Sequence, residues 1–111
     1  MNIAKLIYNL LNYEAKLVYQ DSIHSEVSKA IEKINKKFTE WKEYCQKNMN
    51  IVDTYEASGS WGEQHISVYY WEGNLPLPNG EVKNGEFIAI IENGANDTGE
   101  VWASLAIYEI Y

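Results

Sequence analysis

The chain has no arginine: all nine basic side chains are lysine. The planar guanidinium fork that grips carboxylates and phosphates in pairs is therefore missing, and anion-processing chemistry loses its usual clamp. A single cysteine, Cys45, cannot close an internal disulfide, which excludes a bridge-stapled secreted scaffold and points to a reducing, cytoplasmic setting. With two prolines and 46% hydrophobic residues, the composition is not that of a disordered chain. No apolar run reaches the roughly 18 residues a bilayer-spanning helix needs. The opening Lys5-Leu6-Ile7 is interrupted by Asn9, Asn12 and Glu14 before it becomes a signal core, so neither export by such a signal nor membrane insertion is expected. The seven glycines form neither G-x-G-x-x-G nor G-K-[ST], so the backbone cradle of nucleotide sites is absent.

What is present is a small acidic chain. At 111 residues it has the size of one domain, and its formal charge of −7 has the wrong sign for gripping a nucleic-acid backbone. The charge is unevenly spread. Residues 1–50 hold eight lysines and six acids, a net of +2, whereas residues 51–111 hold Lys83 alone against ten acids, a net of −9.

The hydrophobic period changes at the same boundary. Ile3, Leu6, Ile7, Leu10, Tyr13 and Leu17 recur every three or four positions, predicting a first helix that ends near Gln20, with Asp21 and Ser22 offering caps for a second. Val27, Ile31, Ile34, Phe38, Trp41 and Cys45 form the apolar seam of that second helix, which stops around residues 48–50. Beyond residue 50 the period is two. It predicts strands over Ile51–Ala57, Gln64–Glu72, Glu86–Glu92 and Val101–Ile110. Pro76 and Pro78 make the link from Gly73 to Gly85 a projecting loop. The expected architecture is α+β: two N-terminal helices (1–50) packed on one face of a four-stranded antiparallel sheet (51–111), in the order ααββββ.

Catalytic signals are sparse. Asp97-Thr98-Gly99 matches the triplet of retroviral-type aspartic proteases but lies among turn-forming residues, where a polar hairpin turn explains it. His65-Ile66-Ser67 is half of a paired two-histidine phosphoesterase signature, and the only other histidine, His24, lacks the matching pattern. Cys45 lies on the apolar seam as an inert thiol. Glu63 and His65 are the only neighbouring pair of plausible metal ligands, which is too few for a site. No cofactor and no catalytic residue is assigned.

Surface is the stronger signal. Two helices cover one face of a sheet, yet large side chains alternate on both. If Ile66, Val68, Tyr70, Val101, Ala103, Leu105 and Ile107 meet the helices, then His65, Tyr69, Trp71, Trp102 and Tyr108 face outward. Together with Trp61 and the carboxylates Glu63, Glu72, Glu81, Glu86, Asp97 and Glu100 they predict a protein-binding patch that steers a basic partner. The alternative is that a homodimer partner or the proline loop covers that second face.

In character the chain resembles the small acidic inhibitors that bacteriophages make against host defence, of the anti-CRISPR and anti-restriction kind. The shared features are one short acidic chain without arginine, eleven asparagines, acids concentrated in the β-half, and the opening Met1-Asn2-Ile3 with Leu6-Ile7. The resemblance implies a non-catalytic inhibitor acting in the bacterial cytoplasm, whose carboxylates imitate phosphates and occupy a basic channel in a nuclease or other nucleic-acid-binding defence protein. Direct nucleic-acid binding is not expected. Two alternatives use the same residues: an immunity protein that blocks a basic toxin, and a small enzyme or ligand-binding domain with a pocket of His65, Tyr69, Trp71 and Trp102.

Overall fold

Eleven residues that the sequence reads as the end of one helix and the cap of the next form a β-strand. The computed structural model describes residues 7, 9–11, 15–26 and 30–110. Its elements are β1 (Ala15–Ser25), α1 (Ile31–Asn48), β2 (Asn50–Gly59), β3 (Gly62–Pro76), β4 (Val82–Asn96) and β5 (Val101–Ile110). All five strands join one antiparallel sheet in the order β1-β5-β4-β3-β2. Two helices on a four-stranded sheet is therefore corrected to a five-stranded sheet with one long helix between its two edge strands.

The physical cause is tertiary pairing. Leu17 fits a helical stripe, but Lys16 to Ser25 also alternates, and β5 offers a complete ladder from Ala15↔Ile110 to Ser25↔Val101, broken by one bulge between Leu17 and Tyr19. An isolated helix of that length is marginal, whereas a strand that completes a sheet satisfies every inward-facing backbone group. Asp21 and Ser22, expected as helix caps, lie inside the strand, where the Asp21 carboxylate accepts the Ser22 amide. Residue 7 and residues 9–11 are helical. Ile3, Leu6, Tyr13 and Val27 of the expected stripes, and the opening Met1-Asn2-Ile3, lie outside the described residues.

The seam of α1 survives in part. Ile34, Trp41 and Cys45 are buried, Phe38 is half-buried and Ile31 is exposed. Ile34, Phe38, Trp41 and Cys45 meet Tyr69, Leu75, Leu77, Phe87, Ala89, Ile91, Val101, Ala103, Leu105 and Ile107 on one face of the sheet. Ile66, Val68, Ile88 and Ile90 point to the opposite face, where Leu11 and Ile7 pack on them. The covering segments thus lie on opposite faces, and β4, with the continuous apolar run Phe87 to Ile91, is buried on both.

The proline segment is also corrected. β3 and β4 stay paired through Gly73↔Gly85, Asn74↔Asn84, Leu75↔Lys83 and Pro76↔Val82, so no loop projects. Leu75 and Leu77 enter the core, the Tyr44 hydroxyl donates to the Pro76 carbonyl at 2.6 Å, and the turn closes with Leu77 N–H on Glu81 O at 2.7 Å. Pro76 stands at the last ladder position, where a missing donor costs least.

Trp41→Ala is expected to cost about 3–5 kcal/mol in a denaturant titration, because that indole is buried where α1 meets the sheet. Phe38→Ala, on a half-buried side chain, should cost about 1–2 kcal/mol.

Candidate functional site

The outward aromatic face expected from the sequence does not form. Register sets the phase of the alternation: Tyr69 opposes Ala89, which opposes Ile107, so odd positions on β3 share a face with odd positions on β5. His65, Tyr69 and Trp71 therefore lie on the α1 side, while Trp102 and Tyr108 lie on the other. Tyr69 is 1% exposed in the core, with its hydroxyl unpartnered. Trp71 packs against the same core and donates Nε1–H to the Asn74 carbonyl at 2.9 Å, and Tyr108 packs with Ile88 and Ile90. The Trp102 indole lies over Gly94, where any Cβ would enter the ring, and donates to Glu92 Oε1 at 3.0 Å beside Gln64 Nε2, also at 3.0 Å. A pocket of His65, Tyr69, Trp71 and Trp102 is excluded by this geometry.

The expected site residues fall at two ends of the sheet. Trp71, Glu72, Glu81, Glu86 and Tyr108 lie toward the β3–β4 turn. There Glu72 and Glu86 stand directly opposite each other, a like-charge pair that costs stability. Burial, and then the Glu86 and Glu72 carboxylates, raise the pKa of the neighbouring Tyr70 phenol. Lys83 Nζ reaches Glu109 at 4.0 Å at this same end, and Lys16 opposes Glu109 in the ladder.

Trp61, Glu63, His65, Asp97 and Glu100 gather at the other end, which is the better candidate. Here the β2–β3 and β4–β5 turns lie side by side, joined by the Asp97 amide donating to the Trp61 carbonyl at 2.9 Å. Each turn has a local cause. Gly62 holds φ +128°, and a Cβ there would overlap the Ala95 carbonyl oxygen, so only glycine fits. The Asn96 side-chain oxygen accepts from Thr98 N, Thr98 Oγ1 and Glu100 N at 3.1, 2.7 and 2.9 Å. The Asp97-Thr98-Gly99 triplet is thus the tip of an asparagine-capped turn, with Asp97 exposed.

Trp61 is 46% exposed at this tip, with its ring close over Gly59. Both histidines lie toward this end of the sheet, on opposite faces. His24, at the end of β1, places Nε2 3.2 Å from Glu100 Oε2. His65 on β3 places Nε2 3.2 Å from Glu63 Oε2 and Nδ1 3.4 Å from Glu56 Oε1, and only a doubly protonated ring can donate to both carboxylates at once. Glu26, Glu56, Glu63, Asp97 and Glu100 make the tip strongly acidic. Five described lysines ride on α1 (33, 36, 37, 42 and 47), and Lys16 and Lys83 stand at the far end of the sheet.

Two clefts of about 230 and 240 Å³ run beside α1, and His65 and Asn93 border both; Asn35 and Glu63 line the first, Lys42 and Glu56 the second. Among the described residues no group of three or more His, Cys, Asp or Glu side chains could hold a metal ion. No described helix is long and apolar enough to cross a membrane. Sequence reasoning missed His24, Glu26 and Glu56. For His24 the available signal was the alternation of residues 16–25, which the helical reading displaced. No family model matches the chain, and searches of known proteins and of solved structures return no match.

Cys45 is fully buried, and burial pushes its thiol up to about 12. At pH 8 an alkylating reagent should leave it unmodified until denaturant is added. The unfolded chain releases the same proton near pH 8.5, so the folded state alone retains it between about pH 9 and 12. Stability should therefore be at its full value below pH 8 and decline as pH rises through that window, readable as a falling denaturation midpoint.

Proposed function

We propose that this chain is a non-catalytic, acidic protein-binding domain that docks its tip against a basic surface of a nucleic-acid-processing protein and blocks that surface, in the manner of anti-CRISPR and anti-restriction inhibitors of the bacterial cytoplasm. The observation that carries this reading is the exposed Trp61 of the β2–β3 turn, which is hydrogen-bonded to the neighbouring β4–β5 turn at an end of the sheet that also carries Glu26, Glu56, Glu63, Asp97 and Glu100. A rigid indole supplies contact area at low entropic cost, and surrounding carboxylates accelerate encounter with cationic partners. Lysines are concentrated on α1 and carboxylates on the sheet, so a basic surface is attracted to the ends of the strands.

The tip is also structurally affordable to change. Trp61 belongs to neither apolar cluster of the sheet. Trp71 and Trp102, by contrast, are packed within the fold, so their truncation would confound binding with stability.

The test begins with a photo-crosslinker at position 61 to capture the partner in bacterial lysate, followed by kinetics on the purified pair. Trp61→Ala should leave melting nearly unchanged and weaken binding by about 2 kcal/mol. Neutralising Glu63, Asp97 and Glu100 together should slow association about threefold or more at low salt, while Glu40→Gln and Glu43→Gln on α1 should do little. DNA or RNA should compete. A partner bound equally at low and high salt, and indifferent to nucleic acid, would overturn phosphate mimicry.

A further inference from the structure

We infer that Asp21 and Asp53 close the two outer edges of the sheet to a further strand, each carboxylate occupying a backbone amide with which a second copy of this chain would otherwise pair. Among the described residues β1 and β2 are the outermost strands, each with a single strand neighbour. They run eleven and ten residues, long enough to template pairing, and the exposed Leu17, Ile51 and Val52 would favour it. The usual deterrents are thin: neither strand contains proline, and Lys16 is the only lysine on the two. Each edge instead carries the same two features. A bulge breaks the register, between Leu17 and Tyr19 in β1 and between Ile51 and Asp53 in β2. At or just beyond it an aspartate accepts the amide of the next residue: Asp21 Oδ1 from Ser22 N–H at 2.9 Å, and Asp53 Oδ1 from Thr54 N–H at 2.8 Å.

The ladders place both amides on the outside. Along an antiparallel pair, residues alternate between turning both backbone groups to the partner and turning both away. The β2–β3 turn has two residues, Ser60 and Trp61, between Gly59 and Gly62, and such a turn is closed by a pair that exchanges both bonds. Counting back in twos, Ala57 and Tyr55 also turn to β3, so Thr54 turns away from it. In the β4–β5 turn the Asn96 amide donates to the Glu100 carbonyl at 2.9 Å, which makes Gly94↔Trp102 and Glu92↔Ser104 the bonded pairs. Ser104 therefore turns its backbone to β4, and Ser22, opposite it in β1, turns its own outward. Two strands of unrelated sequence thus carry the same carboxylate-on-amide contact at an outward position. An incoming strand would bring a carbonyl oxygen against that carboxylate. Acceptor would meet acceptor, and pairing would forfeit a bond while burying a charge.

The test is sedimentation velocity of the full chain over about a hundredfold range of concentration, with thermal melts to verify that every protein compared is folded. Wild type should remain a monomer. Asp21→Ala and Asp53→Ala each open one edge and should stop at a dimer, because like edges close on one another about a two-fold axis, whereas the double Ala variant should form open-ended larger species. The double variant Asp21→Asn, Asp53→Asn keeps an oxygen acceptor on each amide and should stay monomeric. Hydrogen exchange on wild type reads the contact without any substitution: after correction for intrinsic rates, the Ser22 and Thr54 amides should exchange about threefold or more slowly than the outward-facing amides of Gln20 and Glu56. A wild type that associates, a double Ala variant that stays monomeric, or a double Asn variant that associates as strongly as the double Ala variant would overturn the inference. So would Ser22 and Thr54 amides that exchange as fast as those of Gln20 and Glu56.

Discussion

Everything in this molecule depends on the two-residue alternation of β4 at the centre of the sheet. Phe87, Ala89 and Ile91 project to one side, Ile88 and Ile90 to the other, and all five are buried. A strand apolar on both faces needs a cover on both, so α1 takes one side and the N-terminal helical residues take the other. A slip of one residue would exchange the two sets, which is why the fifteen-residue ladder with β3 is uninterrupted.

Covering two faces with this little helix has consequences at the margins. α1 packs over β4 and β5 and leaves clefts on its β2 side, where His65 and Asn93 come to the surface. The turns at the tip receive no cover from either apolar cluster. They are held by hydrogen bonds, with Asn96 satisfying three donors from the turn around Asp97. Rigidity without burial is what lets an indole and several carboxylates be presented in fixed positions to another molecule.

Charge follows the layers. Of the lysines of α1, Lys42 lines a cleft against the sheet, whereas Lys37 pairs with Glu40 and sits 5.4 Å above the Trp41 ring. The carboxylates cluster at the two ends of the strands. At one end Glu72 and Glu86 oppose each other beside Tyr70, and at the other the acids meet both histidines. Net charge alone gives solubility, whereas its uneven division between a lysine-rich helix and acidic strand ends gives orientation.

The sequence by itself determined the long helix, the four C-terminal strands and the acidity of their half, because each is a local property: a 3.6-residue seam from Ile34 to Cys45, a period of two after residue 50, and lysine confined almost wholly to the first half. It also determined the asparagine and glycine turns, whose chemistry lies within a few residues. Three features were decided only by tertiary structure. Residues 15–25 fit two periods, and the choice was made by β5, some 85 positions away, which offered a ladder that no isolated segment contains. The faces of the aromatics depended on the relative phase of β3 and β5, which is set by their shared register with β4 and moved Trp102 and Tyr108 away from His65 and Tyr69. The meeting of His24 with Glu100 spans 76 positions. Side-chain period belongs to a segment and can be read along it, but register and the ends at which turns converge belong to pairs of segments, so the acidic tip exists only once the sheet has closed.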